Sequence, residues 1–301
     1  MAQGWAIASA TDIAFALGML ALLGNRVPAA LRVLLLAFAV LDDLGAVLVI
    51  ALFHSKGVQL AGLAIAAVAI ACTYGLLRWQ AAQADARTAV REQARATRGV
   101  AALAHIVLAA CLWAGLLYAG IHPTLAGVAL GLLAPVAHRP HDHAHVPAAT
   151  RLQARLGPWV MWCVMPLFAI ANAGIPFPGA ALSPQDLTLA GAIVAGLLFG
   201  KPLGIVGTVW LGTRIGLCRL PSDIGLRHLL VAGCLGGIGF TMSLFIAELA
   251  FQGSALLPAA KLGILAGSAL SAVAGLALGV ALLGRPQVTP SSRRSGTGSA
   301  P

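Results

Sequence analysis

The sequence predicts an all-α protein that crosses a membrane many times, and three observations predict it. Hydrophobic residues make up 59% of the chain and charged residues 9%, too little polar surface to cover a water-soluble domain of 301 residues. The apolar residues fall in continuous runs of roughly 20, the length a helix needs to traverse hydrocarbon. Membrane barrels instead show short alternating segments. The basic residues gather in the breaks between the runs.

Charged or Pro/Gly-rich breaks divide the chain into nine expected spans, at 4–23, 30–53, 59–79, 99–119, 121–137, 158–175, 187–212, 227–249 and 259–284. Together they form one membrane domain over residues 1–284. The opening MAQGWAIASATD lacks a basic n-region and holds an aspartate where a signal peptide would be apolar, so no cleaved leader is expected. Residues 80–98, QAAQADARTAVREQARATR, have helix-forming composition and several charges, which predicts a short surface helix. The stretch 138–155 has four histidines within 138–145; without a fixed scaffold it reads as a solvated loop before a metal site. Residues 285–301, rich in Ser, Gly and Pro, read as a disordered tail.

With nine crossings, all sixteen arginines lie on one side and only Lys56 and Lys261 on the other. Cytoplasmic loops carry the excess of Lys and Arg, so the C-terminus is expected in the cytoplasm and the N-terminus of this chain outside. The net charge of +10 is thus a matter of membrane topology, with no nucleic-acid partner expected. The five cysteines, Cys72, Cys111, Cys163, Cys218 and Cys234, show no CxxC spacing and read as small core residues.

Of nine acidic residues, Asp85, Glu92, Asp142, Asp186 and Asp223 fall in loops, and Glu248 falls in the last turn of its span, at the interface. Asp42 and Asp43 lie about twelve residues into their run, roughly 18 Å deep at 1.5 Å per residue. An intramembrane carboxylate costs on the order of 2.5–3.5 kcal/mol, so two in succession mark a functional site. Lys201, in GLLFGKPLG, reads as the one basic residue deep in a span, and a buried ammonium needs a carboxylate such as one of this pair. The other aspartate is then free for a hard cation, sodium or lithium, held at Asp42 and Asp43. Carboxylates bind protons as well, so cation and proton compete for one site. With alternating exposure to the two sides, that competition is enough for antiport, without an organic cofactor. Gly236, Gly237 and Gly239, inside CLGGIGFTMS, weaken their helix enough for a break. A sodium-coupled symporter and a non-transporting membrane subunit are the other readings. No nucleophile–base pair or phosphate loop points to an enzyme.

GWAIASATDIAFALGMLALLGNRVP, LLLAFAVLDDLGAVLVIALF, HPTLAGV, PWVMWCVMPLFAIANAGI, GLLFGKPLGI, CLGGIGFTMSLFIAELAF and AKLGILAGS, in this order, resemble the NhaA sodium/proton antiporters. That family is a known example of inverted-repeat transporters with discontinuous helices, and the resemblance implies the same fold here. It implies an electrogenic, pH-regulated exchanger in the bacterial inner membrane. Asp43 matches the more direct cation ligand, Asp42 the partner of Lys201, and Thr11 and Asp12 the unwound stretch beside the ion site. Asp12 and Lys201 would balance the charges of opposed helix ends, Gly236–Gly239 match the second break, and His122 matches a histidine associated with pH response. The family has twelve helices, and this chain begins at what resembles the fourth. The resemblance therefore implies an N-terminally truncated sequence, with an inactive fragment as the alternative. The hairpin through which the family forms homodimers precedes the first matched segment. Ala8 replaces a common proline, and Gln153 stands where a glutamate linked to pH sensing often occurs.

Overall fold

The computed structural model describes residues 2–53, 59–86, 93–134, 148–174, 183–221 and 223–283, and every regular element among them is helical. A 3-10 helix, Ala2–Ser9, leads through residues 10–12, which form no regular element, into α1, Ile13–Leu22. Then come α2 (Ala29–Phe53), α3 (Leu60–Ala86), α4 (Gln93–Tyr118) and α5 (Leu125–Leu133). The helix α6 (Ala148–Trp159) continues through a π turn, Val160–Val164, into α7 (Met165–Ala173). Similarly, α8 (Pro184–Ala195) continues through Gly196–Gly200 into α9 (Lys201–Arg214). Between α10 (Leu226–Gly236) and α11 (Phe240–Ala250) the chain breaks and bends by 48°. The long α12 (Leu257–Leu282) closes the described part.

Six described segments are long and apolar enough to cross a membrane, and the bent α10–α11 pair counted as one makes seven. This is the polytopic helical protein that composition predicts, with differences in detail. The expected span 121–137 is represented by the nine residues of α5. That helix stops because Ala134, φ −64° and ψ 129°, precedes a proline, whose ring pushes the residue before it out of helical geometry. Residues 148–155, expected in a loop, belong to α6. The separate surface helix expected over 80–98 is not formed among the described residues: α3 runs on to Ala86 and α4 starts at Gln93, because Ala, Gln and Arg prolong a helix readily. The histidine-rich stretch 138–145 and the tail 285–301 lie outside the described residues, as does Lys56. Only Cys234 is buried; Cys72, Cys111, Cys163 and Cys218 are exposed. On a lipid-facing helix a small apolar side chain is solvated as well outside the bundle as inside it, so apolarity alone does not bury a thiol.

Both π turns have one cause. Each is followed by a residue and then a proline, Met165–Pro166 and Lys201–Pro202. Proline offers no N–H and its ring crowds the carbonyl four residues back. The helix widens, placing the Met165 N–H on the Val160 carbonyl and the Lys201 N–H on the Gly196 carbonyl, five residues apart.

Three apolar clusters hold the bundle. One joins the N-terminal 3-10 helix to α8, α11 and α12 through Ile7, Ile193, Leu244 and Ile264. A second joins α1, α2, α10 and α12 through Leu20, Leu31, Leu35 and Leu235. The third, Ala66, Ala69, Leu112, Leu116 and Ala126, joins α3, α4 and α5. There the α3 and α4 backbones touch at Gly62: a Cβ at that position would lie 2.7 Å from the Gly115 carbonyl oxygen and 2.6 Å from the Ala119 Cα. Because backbone cannot yield, Gly62→Ala should force the pair apart at a cost of about 1–3 kcal/mol, as overpacking does. Thermal unfolding in detergent should show a lowered midpoint for Gly62→Ala and no loss for Gly75→Ala on the same helix, where an added Cβ meets nothing within 4 Å.

Candidate functional site

The site forms where two interrupted helices cross. Residues 10–12 interrupt the first and residues 237–239 the second, and the two interruptions bond directly, the Asp12 N–H donating to the Ile238 carbonyl at 2.6 Å. Gly239 permits the approach: a Cβ there would lie 3.0 Å from the Ala10 carbonyl oxygen and against the Ser243 hydroxyl.

A helix end inside a membrane leaves N–H or C=O groups that no water can satisfy. Asp12, extended at φ −84° and ψ 101° and 1% exposed, caps two such ends at once. Its Oδ1 accepts from the Phe15 N–H of α1 at 3.1 Å. Its Oδ2 accepts from the Thr241 N–H of α11 at 3.2 Å and from the Thr241 hydroxyl at 2.6 Å. One negative charge thus faces the positive ends of both helices. The next free donor of α11, the Phe240 N–H, goes to Ser268 Oγ of α12 at 3.1 Å. On the carbonyl side, Ser243 Oγ donates to the Ile7 carbonyl at 2.7 Å.

Thr11 sits at the carbonyl end of α10, on the other side of the second break. Its hydroxyl lies 2.9 Å from the Gly236 carbonyl oxygen and 2.7 Å from Asp42 Oδ2. A hydroxyl has one proton, so it serves one of these acceptors at a time. Its lone pair accepts from Lys201 Nζ. Lys201, 8% exposed, also donates to Asp42 Oδ2 at 2.6 Å in an ion pair. The π turn immediately before Lys201 sets the direction in which its stem leaves α9.

Asp42 and Asp43 are the fourteenth and fifteenth residues of α2, whose 25 residues start at Ala29. Successive side chains of a helix diverge by about 100°, and the two carboxylates differ accordingly. Asp42 has an ammonium and a hydroxyl. Asp43 Oδ1 is buried with no hydrogen-bond partner among the described residues. Such an oxygen is the kind of orphaned acceptor that a hard cation or a proton would satisfy.

The structure therefore brings together Thr11, Asp12, Asp42, Lys201, Gly236, Gly237 and Gly239, with Asp43 adjacent on α2. His122 stands apart. A Schellman turn, with the Ile121 N–H on the Leu116 carbonyl at 3.0 Å and Gly120 at φ 76°, ends α4 just before it. The imidazole packs edge-on to Phe245 of α11, with ring centroids 5.2 Å apart. Sequence reasoning missed Thr241, Ser243 and Ser268, the hydroxyls that close the helix ends. It also placed Lys261 at the outer boundary and Lys201 as the one deep cation. Lys261 is 8% exposed in the second turn of α12 and pairs with Glu248 Oε1 at 2.6 Å, clasping α11 to α12. An acidic residue at the end of one span and a basic residue at the start of the next was the signal available.

Comparison with known proteins agrees with this architecture. The family model described as Na+/H+ antiporter 1 matches residues 1–278. The "Na(+)/H(+) antiporter NhaA" of Acidovorax sp. (strain JS42) is 47% identical over 281 residues, covering 92% of this chain and 63% of that protein. "Na(+)/H(+) antiporter NhaA 2" of Myxococcus xanthus (strain DK1622) is 44% identical over 319 residues, 93% of this chain and 64% of its own. The antiporter of Yersinia pestis bv. Antiqua (strain Angola) is 44% identical over 279 residues, with 92% and 65% covered. This chain thus spans 63–65% of the length of these relatives. A family match that runs through both helix breaks and the aspartate pair places this chain in the Na+/H+ antiporter 1 family.

Proposed function

We propose that the chain exchanges sodium, or lithium, for protons at Asp42 and Asp43. The supporting observation is the unpartnered Asp43 Oδ1 beside an Asp42 whose charge Lys201 already meets. A cation entering the site bonds Asp43 first. It draws on Asp42 only by competing with Lys201 and Thr11, which hold that carboxylate. A proton on Asp43 removes the charge that attracts the cation, so each excludes the other. Two carboxylates facing one monovalent cation can hold more than one proton in its place, the condition for electrogenic exchange. Asp12 ties the N-termini of α1 and α11 to one carboxylate, so the two broken spans shift as a unit and expose the site to one side at a time. His122, packed on α11, is placed to bias that shift with pH.

Around this site we infer nine crossings in the bacterial inner membrane, with the arginine-bearing loops and the C-terminus in the cytoplasm and residue 1 outside. The inverted-repeat relation of the two broken spans and a homodimeric assembly belong to the same reading.

In proteoliposomes loaded at acid pH, added sodium should alkalinise the lumen, and Asp43→Asn should reduce that signal at least about 100-fold, because a neutral amide holds neither ion. Exchange retained in Asp43→Asn removes the aspartate from the mechanism. No exchange by the starting chain removes the antiport reading itself. Competition also fixes a pH sign. Protons compete with sodium best at low pH and least at high pH, so sodium binding is strong on the alkaline side. Towards acid pH the apparent KM for sodium should rise by at least about tenfold per pH unit, the slope for one displaced proton and steeper where two are displaced, measured as initial rate against sodium between pH 6 and 8.5. Asp12→Ala uncaps two helices, each worth about 0.5–2 kcal/mol. It should lower both the melting midpoint in detergent and the exchange rate, whereas Asp12→Asn, which keeps acceptor oxygen, should retain most of the stability.

A further inference from the structure

The end of α10 far from the break is closed by a histidine. Its N-cap residue, Gly225, has no side chain to accept from the free N–H groups of the first turn. His228, the third residue of the helix, reaches back instead: its Nδ1 accepts from the Gly225 N–H at 3.0 Å, and its own N–H donates to the Gly225 carbonyl at 2.9 Å. Glutamate or glutamine usually fills this position. A histidine differs because its ring takes up a proton between about pH 5 and 8. An Nδ1 that accepts carries no proton, so the cap exists only while the imidazole is neutral. His228 is 9% exposed, which leaves little room for water to replace the bond. Leu23, Val27 and Leu31 share an apolar cluster with Val231 and Leu283, so the α1–α2 turn, the start of α10 and the end of α12 lie at one end of the bundle. The charges that the packed elements bring there are cations: Arg227 next to the ring, Arg214 at the end of α9, and Arg26 and Arg32 from the α1–α2 turn. The last turns of α12 add none. The loop before α10 carries Cys218, Arg219 and Asp223, the one acid at this end among the described residues.

We propose that His228 is a pH-sensitive latch on α10: neutral, it caps the helix and holds the first turn; protonated at Nδ1, it turns a donor towards the Gly225 N–H and releases that turn. The added charge then stands at the positive end of the helix dipole, among arginines, so acid loosens this end further. The inference rests on the exchange function proposed above and adds a regulation to it. The same helix ends at Gly236, whose carbonyl meets the Thr11 hydroxyl beside Asp42. Eleven residues of continuous helix join the latch to the break. With its first turn released, α10 loses its fixed seat at one end, and the break at the other is no longer held in register with Thr11. Acid on the arginine-bearing side thus slows the exchanger and alkali restores it, without a proton reaching the aspartates.

Two variants of the full chain separate a latch from a packing group. His228→Gln keeps an acceptor at every pH, and His228→Ala has none. Hydrogen–deuterium exchange over residues 225–231, corrected for the intrinsic effect of pH, should be about fivefold faster at pH 5 than at pH 8 in the starting protein. It should be slow at both pH values in His228→Gln and fast at both in His228→Ala. Transport is read as kcat at saturating sodium, where competition at the aspartates no longer limits the rate. Lowering the pH on the arginine-bearing side from 8 to 5 should slow the starting protein at least about threefold more than His228→Gln, with His228→Ala slow throughout. Deuterium uptake that stays pH-dependent in His228→Gln would overturn the latch. So would uptake in His228→Ala equal to that of the starting protein at pH 8. Altered uptake with coincident kcat profiles would overturn its coupling to transport. A starting protein that exchanges no ions removes the antiport reading, while the deuterium arm still decides the latch.

Discussion

Inside hydrocarbon no water waits to cap a helix, so two helices that stop in mid-course must satisfy each other's ends. Asp12 performs most of that task, accepting from α1 and α11 with one carboxylate while its own N–H closes on the Ile238 carbonyl. Everything else at the site is arranged around this knot. Thr11, the residue before it, falls at the carbonyl end of α10, where its hydroxyl meets Gly236 and Asp42. Lys201 then brings positive charge to the side where helix dipoles are negative. The two charged residues sit on opposite ends of the crossing, each complementary to the ends it faces.

How much of this could be read from the chain depended on whether a residue conflicts with its surroundings. Asp42, Asp43 and Lys201 are charges in apolar runs, an expense that announces itself, and the three glycines at 236, 237 and 239 stand out in a helical context. The break at Thr11 is different. ATDIAFALG has no proline and no glycine before its last position, and its composition is as good for a continuous helix as its neighbours; the resemblance to a family supplied that break. The one local signal is Asp12 three residues before Phe15, N-cap spacing in the middle of a span. Thr241, Ser243 and Ser268 were silent, since hydroxyl residues are common in membrane helices and often satisfy themselves on the preceding turn, as Thr73 does on Ala69.

Boundaries failed where composition could not separate membrane from water. Helical propensity carried α3 and α6 beyond the apolar stretches that defined their spans, because hydrogen bonding along a helix does not stop at an interface. The cysteines were misplaced for the converse reason. In lipid, apolarity no longer implies an interior position, and the residues that mark the inside are small or polar ones, such as Gly62 against α4 and Ser268 at the break.

The widened turns before Pro166 and Pro202 carry a consequence for how such a chain tolerates change in length. Each turn absorbs one more residue per hydrogen-bonded ring than an α-helix does, and each residue of helix turns the next side chain by about 100° around the axis. The azimuth of Lys201 is therefore a matter of counting. Loss of one amino acid between Gly196 and Gly200 is taken up by closing the wide turn to an α turn, but loss of a second, with no slack left, would swing the ammonium to another side of the bundle with every functional group still present. In this protein spacing is as much a part of the candidate site as chemistry.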